Sequence, residues 1–397
     1  MITPTKPLGQ VEFIALMAMM MAMVALAIDA MLPALSDIGR ELSPKEEELA
    51  QLVIPFFVFG MGLGTLITGP LSDALGRRPV LIGGAMLYAA GSLMAMGSES
   101  IDMLVLSRII MGLGAAGPRV VAIAIVRDQY AGADMARIMS FVMIVFMLVP
   151  AIAPAMGAAV IAIWDWRAIF AAFLVFAVAG SLWFALRQPE TLSAPDRTPL
   201  RARMLWRALV EVLSRPVTRW CILAQMLAFG MLFSVLTTIQ PIFAVTFERA
   251  AELPMWFALI AVVSALGSFA NARLVMRIGM RRVIQMVLIG QIVLTSALIL
   301  ALLAGVGGTL GFAITLLWIM SVFLQGGLLI GNLNAMAMEP LGHVAGMAAS
   351  VIASLATVGS VLIAVPLGLA FDGTVLPLAL GILGCAIAAI LVMTRVR

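Results

Sequence analysis

The chain of 397 residues is 63% apolar and only 11% charged, and its formal net charge is +4. Soluble domains are nearer half apolar and a quarter charged, so this composition excludes a water-soluble core and favours an integral membrane protein. Most basic residues lie in short segments between apolar runs, which indicates membrane topology rather than nucleic-acid binding.

The apolar residues fall into twelve runs, each long enough for a helix that spans a membrane. In chain order the runs are 11–35, 49–68, 80–96, 103–126, 138–163, 168–186, 219–245, 254–272, 283–303, 310–335, 344–370 and 375–393. Twelve helices with short connections use nearly the whole chain and leave no room for a soluble catalytic domain. The predicted fold class is an all-α integral membrane protein with twelve transmembrane helices in two six-helix pseudo-repeats.

The basic residues are distributed unevenly between alternate connections. One set of connections, together with both ends of the chain, holds most of the arginines, whereas the other set holds Arg40, Lys45, Arg167 and Arg249. Because Lys and Arg concentrate on the cytoplasmic side of membrane proteins, both termini are predicted to be cytoplasmic. This arrangement requires an even number of spans, in agreement with the count of twelve.

The longest connection, 188–217, separates a six-helix half, 1–187, from a second half, 218–397. The sequence G-R-R at 76–78 follows the second run and has a counterpart, G-M-R-R, after the eighth run. Two parallel six-helix repeats are typical of secondary transporters, whose substrate site lies near the bilayer midplane between the repeats.

The long connection contains an amphipathic stretch, 201–215. On a helix its apolar face consists of Met204, Leu205, Leu209, Val212 and Leu213. One interpretation is a helix on the lipid surface, with its arginines near anionic headgroups. The other interpretation, which remains open, is a solvated linker between the two halves.

The segment 69–78 has the pattern G-x-L-S-D-x-x-G-R-R and resembles the signature loop of the major facilitator superfamily. The resemblance implies a conformational latch composed of Gly69, Asp73, Gly76, Arg77, Arg78 and Asp128. In such a latch Arg77 pairs with Asp128 at the inner end of the fourth helix, and Asp73 docks near the eleventh helix. Positive-inside charge alone would explain the arginines but not Asp73. Met276 replaces this aspartate in the second repeat, so the latch is predicted to be one-sided.

The fourth run contains two arginines, Arg108 and Arg119, on the same helical face as Gly112 and Ala115. A charge at the bilayer centre costs at least ~2.5 kcal/mol, so this face is predicted to point away from lipid. The surrounding sequence resembles a second superfamily signature, whose arginine is linked to proton coupling, although Met111 stands where the family often has glutamine. A purely structural buried ion pair is the alternative.

Asp29 is the only acidic residue deep in an apolar run and is the predicted counter-ion of Arg108. Both residues lie roughly 8–9 Å below the outer surface at a rise of ~1.5 Å per residue. Burial favours a protonated carboxyl group and a neighbouring guanidinium favours the charged form, a balance that suits a proton carrier. We hypothesise that Asp29 takes up a proton from outside and releases it inward, coupled to export. Recognition of cationic substrates by Asp29 is the alternative.

The fifth run contains Pro150, Pro154 and Gly157, which predict a kinked helix close to a neighbour. The form A-P-x-x-G at 153–157 resembles the signature associated with antiporters, and a generic kinked helix is the alternative. Together with W-R-A-I-F at 166–170 and P-E-T-L after it, these motifs resemble the twelve-helix drug:proton antiporter branch of the superfamily. Within that branch, they resemble the Bcr/CflA-type multidrug efflux transporters.

The predicted substrate cavity combines charged, aromatic and amide side chains. Its candidates are Asp29, Arg119, Phe56, Phe141, Gln225, Gln240 and Asn332. The amides have an alternative role as hydrogen bonds that hold helices together, worth ~0.6 kcal/mol each. The aromatic residues have an alternative position facing lipid.

The resemblance implies proton-coupled efflux of small lipophilic or cationic compounds by a monomer in the inner membrane of a bacterium. The predicted partners are the substrate, protons and the lipid bilayer, with no nucleic acid, cofactor or metal. An efflux carrier for a sugar, nucleoside or other metabolite is the first alternative, but its site is expected to hold more converging polar groups. A passive channel is disfavoured by the intramembrane charges and the repeat. An integral membrane enzyme would need clustered His, Asp or Glu, which the sequence does not indicate.

Overall fold

The computed structural model describes residues 8–200 and 202–396, and these residues form a helical protein. The α-helices are α1 (Gln10–Asp29), α2 (Leu35–Leu42), α3 (Val53–Leu75), α4 (Arg77–Met96), α5 (Ile101–Gln129), α6 (Gly132–Ile163), α7 (Arg167–Arg187), α8 (Ala202–Ser214), α9 (Pro216–Pro241), α10 (Leu253–Ile278), α11 (Met280–Leu303), α12 (Gly308–Met338), α13 (Ala345–Leu369) and α14 (Leu376–Arg395). Among the described residues, 12 helical segments are long and apolar enough to cross a membrane. This confirms the predicted all-α integral membrane fold.

The spanning helices extend beyond the apolar runs, because their end turns carry polar and basic residues. Helix α3 continues to Leu75, although the second apolar run ends at residue 68. The segment 69–78, predicted as a loop, is therefore helical except at Gly76, where φ is 104°. A positive φ of this size suits glycine, which has no Cβ atom. The expected loop is a one-residue break between α3 and α4.

The described residues form two compact units. The first takes in Met1–Ala34 and Phe56–Arg207, and the second takes in Leu35–Pro55 and Ala208–Arg397. The predicted halves, 1–187 and 218–397, assign the segment 35–55 to the first half, and this division stays a prediction. In the structure this segment packs with the second unit, where Gln240 Nε2 donates a hydrogen bond to Ser36 Oγ at 2.6 Å. The boundaries at 187 and 218 remain a prediction.

Glycines bring three helices of the first unit into backbone contact. A Cβ atom added to Gly84 of α4 would lie 2.7 Å from the Gly114 carbonyl oxygen and 2.9 Å from Gly117 Cα, both on α5. A Cβ atom at Gly112 of α5 would overlap the Phe57 carbonyl oxygen of α3. Small residues at these crossings let helices approach closely, as is common inside membranes.

In the second unit, α9 packs against α12, α13 and α14. Its crossing with α13 again depends on glycine, since a Cβ atom at Gly359 would overlap the Met226 side chain. Between α11 and α12, Trp318 Nε1 donates a hydrogen bond to Thr295 Oγ1 at 2.9 Å. Lipid tails offer no hydrogen-bond partners, so bonds of this kind satisfy polar side chains inside the unit.

Helix α8 occupies the position of the predicted amphipathic stretch. Val212 is buried, and Leu205 and Leu209 are half-buried, as expected for one apolar face. Leu213 is exposed and lies about 100° around the helix axis from the buried Val212. Arg201 and the side chain of Met204 lie outside the described residues.

Candidate functional site

Arg108 of α5 is fully buried, and groups from three other helices of the first unit surround its guanidinium. Its Nη2 donates a hydrogen bond to the Ala27 carbonyl oxygen of α1 at 2.6 Å. Its Cζ lies 4.5 Å from the ring centroid of Phe57 on α3 and 5.9 Å from that of Phe170 on α7. Its Nη1 lies 3.8 Å from Met111 Sδ. A carbonyl oxygen and aromatic faces both stabilise a cation, so this pocket suits a buried arginine.

Asp29 is the last residue of α1, and its side chain is buried. After Asp29 the chain leaves the α-helix, passes through a 3-10 turn at Leu32–Ala34 and continues as α2. Within residues 8–200 and 202–396, no hydrogen bond or ion pair reaches the Asp29 carboxylate. Arg108 instead contacts the backbone of the same helix two residues earlier. The two predicted partners therefore lie at the same end of α1 without an ion pair between them.

The hydrogen bond from Arg108 to Ala27 satisfies a carbonyl group at the C-terminal end of α1. The last four carbonyl groups of an α-helix have no partner within the helix. In α1 the Leu26 carbonyl accepts a hydrogen bond from the Ala30 N–H at 3.1 Å, and the Ala27 carbonyl accepts one from Arg108. A cation at this position also stabilises the partial negative charge of the helix C-terminus. Arg108 thus caps the interrupted end of α1 beside Asp29.

Helix α6 approaches α1 at the same point. A Cβ atom at Gly157 would overlap the carbonyl oxygen of Ala30, the residue after Asp29. Pro150 and Pro154 lie about two turns and one turn before Gly157, and α6 continues as one helix through both. Glycine permits this backbone contact, so the proline-containing motif borders the Asp29 site.

The segment 166–170 packs beside the Arg108 pocket. The rings of Trp166 and Phe170 meet edge to face with centroids 6.1 Å apart. Arg167 Cζ lies 4.2 Å from the Trp166 ring centroid, and its Nη2 donates a hydrogen bond to the Ser98 carbonyl oxygen at 3.0 Å. In the sequence this segment was identified only by its resemblance to the family. In the structure its last residue, Phe170, faces the Arg108 guanidinium.

Arg119, the second arginine of α5, is not part of this pocket. It lies eleven residues after Arg108, which corresponds to about 16 Å along the helix. It is half-buried, and its Nη1 lies 3.3 Å from Met61 Sδ on α3. The structure therefore does not bring Arg119 to Asp29.

The rings that contact Arg108 belong to Phe57 and Phe170, neither of which was an aromatic candidate. Phe56 is half-buried and packs against Phe59 with ring centroids 6.2 Å apart, whereas its neighbour Phe57 stacks on the arginine. Phe141 of α6 is 45% exposed. The sequence alone does not show which of two adjacent phenylalanines faces the helix bundle. The prediction therefore named Phe56, whereas Phe57 contacts the Arg108 guanidinium.

Three amide candidates lie in the second unit, and each is buried. Asn332 Nδ2 donates a hydrogen bond to Asn271 Oδ1 at 2.8 Å, and the reverse bond measures 3.4 Å. Gln240 bonds to Ser36, as described above. Gln225 Nε2 has no hydrogen-bond partner among the described residues. Two of the amides thus join helices within the unit, and the binding of substrate by Gln225 stays a prediction.

The latch residues form a network at the ends of α3, α4 and α5. Arg77 Nε donates a hydrogen bond to Asp128 Oδ2 at 2.8 Å. Its Nη1 donates to the Asp73 carboxylate and, at 2.8 Å, to Ser72 Oγ, which itself donates to the Gly69 carbonyl oxygen at 2.8 Å. The Arg77 side chain is nearly buried, whereas that of Asp73 is 47% exposed. The structure thus brings Arg77 and Asp128 together, and the latch function remains a prediction.

Glu190, to which the sequence assigned no role, caps the start of α4. Its Oε1 accepts a hydrogen bond from the Arg77 N–H at 2.9 Å, and its Oε2 accepts one from the Arg78 N–H at 3.0 Å. The same Oε1 accepts bonds from the N–H groups of Thr191 and Leu192 at 3.0 and 3.1 Å. A carboxylate at a helix N-terminus also compensates its partial positive charge. Glu190 therefore attaches the beginning of the linker to the latch residues.

The variant Glu190→Gln should lower the melting temperature of the purified protein in detergent. The new amide nitrogen would face the Arg78 N–H, so two donors would oppose each other and the negative charge would be lost. We expect a loss of about 1–2 kcal/mol in unfolding free energy. Asp196→Asn in the same connection is the control, because the Asp196 carboxylate accepts a bond from the exposed Ser193 hydroxyl. Equal shifts for both variants would contradict the capping role.

A family model described as the Major Facilitator Superfamily matches residues 13–364. The bicyclomycin resistance protein homolog of Haemophilus influenzae is 27% identical over 350 residues, which cover 86% of this chain and 85% of that protein. The chloramphenicol resistance protein of Pseudomonas aeruginosa is 32% identical over 217 residues, covering 54% of this chain and 50% of that protein. The multidrug resistance protein MdtL of Shewanella oneidensis is 37% identical over 161 residues, covering 40% of this chain and 39% of that protein. The chain thus aligns with about half or less of the last two relatives.

Solved structures share the fold. The human organic anion transporter MFSD10 (TETRAN) has a TM-score of 0.69 and 18% identity, with 97% of this chain and 100% of that chain covered. The xylose transporter XylE from E. coli has a TM-score of 0.71 and 12% identity, with 97% of each chain covered. At these identities the similarity concerns the arrangement of helices and not the substrate.

Proposed function

The chain belongs to the major facilitator superfamily, and from this membership we propose that it exports small lipophilic or cationic compounds in exchange for protons. The proposal draws on relatives whose names denote resistance to bicyclomycin, chloramphenicol and several drugs. The alignment with the first of these covers most of both chains. This similarity supports drug efflux and a role in antibiotic resistance, and the exchange for protons is part of the proposal.

One observation carries the coupling to protons: a buried acid, Asp29, at the interrupted end of α1 beside the capping arginine. With Asp29 protonated, Arg108 stays on the Ala27 carbonyl oxygen. When the proton leaves, a carboxylate becomes a stronger acceptor than a carbonyl oxygen, and the guanidinium turns to it. The end of α1 then loses its cap. This exchange of partners links the proton on Asp29 to the conformation of α1.

The latch residues also take part in the proposed change between the two alternating states of the transporter. Arg77, bonded to Asp73 and Asp128, stabilises one of the alternating states, and breaking this network accompanies the change to the other. Both termini lie in the cytoplasm, and a monomer in the bacterial inner membrane is sufficient. Gln225 offers its unpaired donor to an acceptor group on the substrate.

The experiment that tests this function uses purified protein in liposomes with an imposed pH gradient. We expect a fluorescent lipophilic cation to move against its own gradient while protons move the other way. Collapse of the pH gradient with nigericin should stop this movement, and protein-free liposomes measure passive leak. Movement of the cation at the same rate with and without the pH gradient would overturn proton coupling. Absence of movement both for lipophilic cations and for neutral lipophilic compounds would overturn the proposed substrate class.

A further inference from the structure

The outward side of α8 carries an apolar stripe beside a basic one. Trp206, Val210 and Leu213 are 65%, 49% and 39% exposed. Their spacing of four and three residues places them on one face of the helix. Arg203 and Arg207 are also exposed and lie four residues apart along the edge of this stripe. An exposed tryptophan within an apolar stripe is unfavourable in water and requires a partner.

The opposite side of α8 is already occupied. Ala208 and Val212, four residues apart, are buried. This burial fixes the rotation of the helix about its own axis. The apolar stripe therefore faces away from the part of the chain that the structure describes.

The position of α8 along the chain brings this stripe to the membrane surface. Helix α8 ends at Ser214, and α9, which is long and apolar enough to span the bilayer, begins at Pro216. A single residue, Arg215, separates them. The last turn of α8 is thus joined directly to the first turn of α9. A tryptophan with neighbouring aliphatic side chains is typical of a helix at this interface.

The exposed arginines of α8 favour lipids with anionic headgroups. Arg203, Arg207 and the adjoining Arg215 are exposed, whereas the acid Glu211 is half-buried. A basic edge beside an apolar stripe complements a surface of anionic headgroups over acyl chains. We propose that α8 lies flat on the membrane surface and binds anionic phospholipids, with Trp206, Val210 and Leu213 in the headgroup–acyl boundary.

The depth of the stripe is measured with a nitroxide label on the full-length protein in nanodiscs. Cys221→Ala and Cys385→Ala remove the native thiols, and Val210→Cys introduces the label. The spectrum should report greater collision with oxygen than with a water-soluble nickel complex. Ala194→Cys, at an exposed position earlier in the same connection, should give the reverse order. Greater collision with the nickel complex at position 210 would overturn the proposal.

The dependence on lipid charge is measured with the same label. Nanodiscs of phosphatidylcholine with phosphatidylglycerol should increase the bilayer-immersed population over phosphatidylcholine alone. Arg203→Gln and Arg207→Gln should each reduce the ratio of immersed to water-exposed label about fivefold in the anionic nanodiscs. Arg273→Gln with Arg277→Gln, which removes two exposed arginines four residues apart on α10, should leave this ratio unchanged. Immersion that is equal in both lipids and in all variants would overturn the role of anionic headgroups.

Discussion

Asp29→Asn should abolish transport driven by a proton gradient while leaving the protein folded and able to exchange a neutral substrate. Asparagine has nearly the shape of a protonated aspartate, so it fits the buried position at the end of α1. It has no titratable carboxyl proton, and it cannot become the carboxylate that draws Arg108 from the Ala27 carbonyl oxygen. The variant is therefore expected to hold α1 in its capped form. Gradient-driven flux should fall to the level of protein-free liposomes.

The matched control is Asp102→Asn, which changes an exposed acid in the first turn of α5. This variant should retain gradient-driven flux. Equal flux through Asp29→Asn and the parent protein would refute a coupling role for Asp29. Equal losses in both variants would point to a general effect of lowered charge.

A comparison of two substrates separates coupling from recognition. If Asp29 serves only to bind cations, Asp29→Asn should lose cationic substrates and retain gradient-driven transport of neutral ones. If Asp29 carries the proton, gradient-driven transport of both should be lost, and exchange of the neutral substrate without a gradient should remain. The neutral compound thus distinguishes the two hypotheses raised by the sequence.

Gly84→Val should prevent correct packing of the first unit. The Cβ atom alone would lie 2.7 Å from the Gly114 carbonyl oxygen, 2.9 Å from Gly117 Cα and 3.1 Å from Pro118 Cδ. These atoms belong to the backbone or to a proline ring, so they cannot move aside as a flexible side chain would. Separation of α4 from α5 is expected to cost about 3 kcal/mol or more. The expected result is a large loss of monodisperse protein after extraction in mild detergent.

The neighbouring glycine supplies the control for this prediction. A Cβ atom at Gly83 meets nothing within 4 Å, and the residue is exposed on α4. Gly83→Val adds the same side chain to the same helix and should be extracted with the yield of the parent protein. Similar yields for both valine variants would show that the α4–α5 crossing tolerates an added side chain.

The twelve spans were predictable because hydrocarbon demands long apolar segments with internally satisfied backbone groups. Their ends were less predictable. Hydropathy falls at residue 68, yet α3 continues to Leu75, because a helix can leave the hydrocarbon without unwinding. Helix α1 shows the opposite error: its apolar run extends to residue 35, but the α-helix stops at Asp29.

The candidate site was predictable where side-chain chemistry alone determines position. Asp29 and Arg108 were the buried charges that the sequence placed at matching depth, and the structure puts both at the end of α1. The Ala27 carbonyl oxygen was not predictable, because a main-chain acceptor leaves no mark in residue types. Glu190 was missed for a similar reason, since its partners are the backbone N–H groups of α4.

The main-chain contact of Arg108 has a consequence for how such transporters change over evolutionary time. Every residue type presents the same carbonyl oxygen at position 27, so no side-chain replacement there removes the acceptor of the bond. The side chains of α1 can therefore change without removing the acceptor of this capping interaction. Correlated substitutions between α1 and α5 would accordingly fail to reveal it, and a search for co-varying partners of Arg108 would find none at position 27.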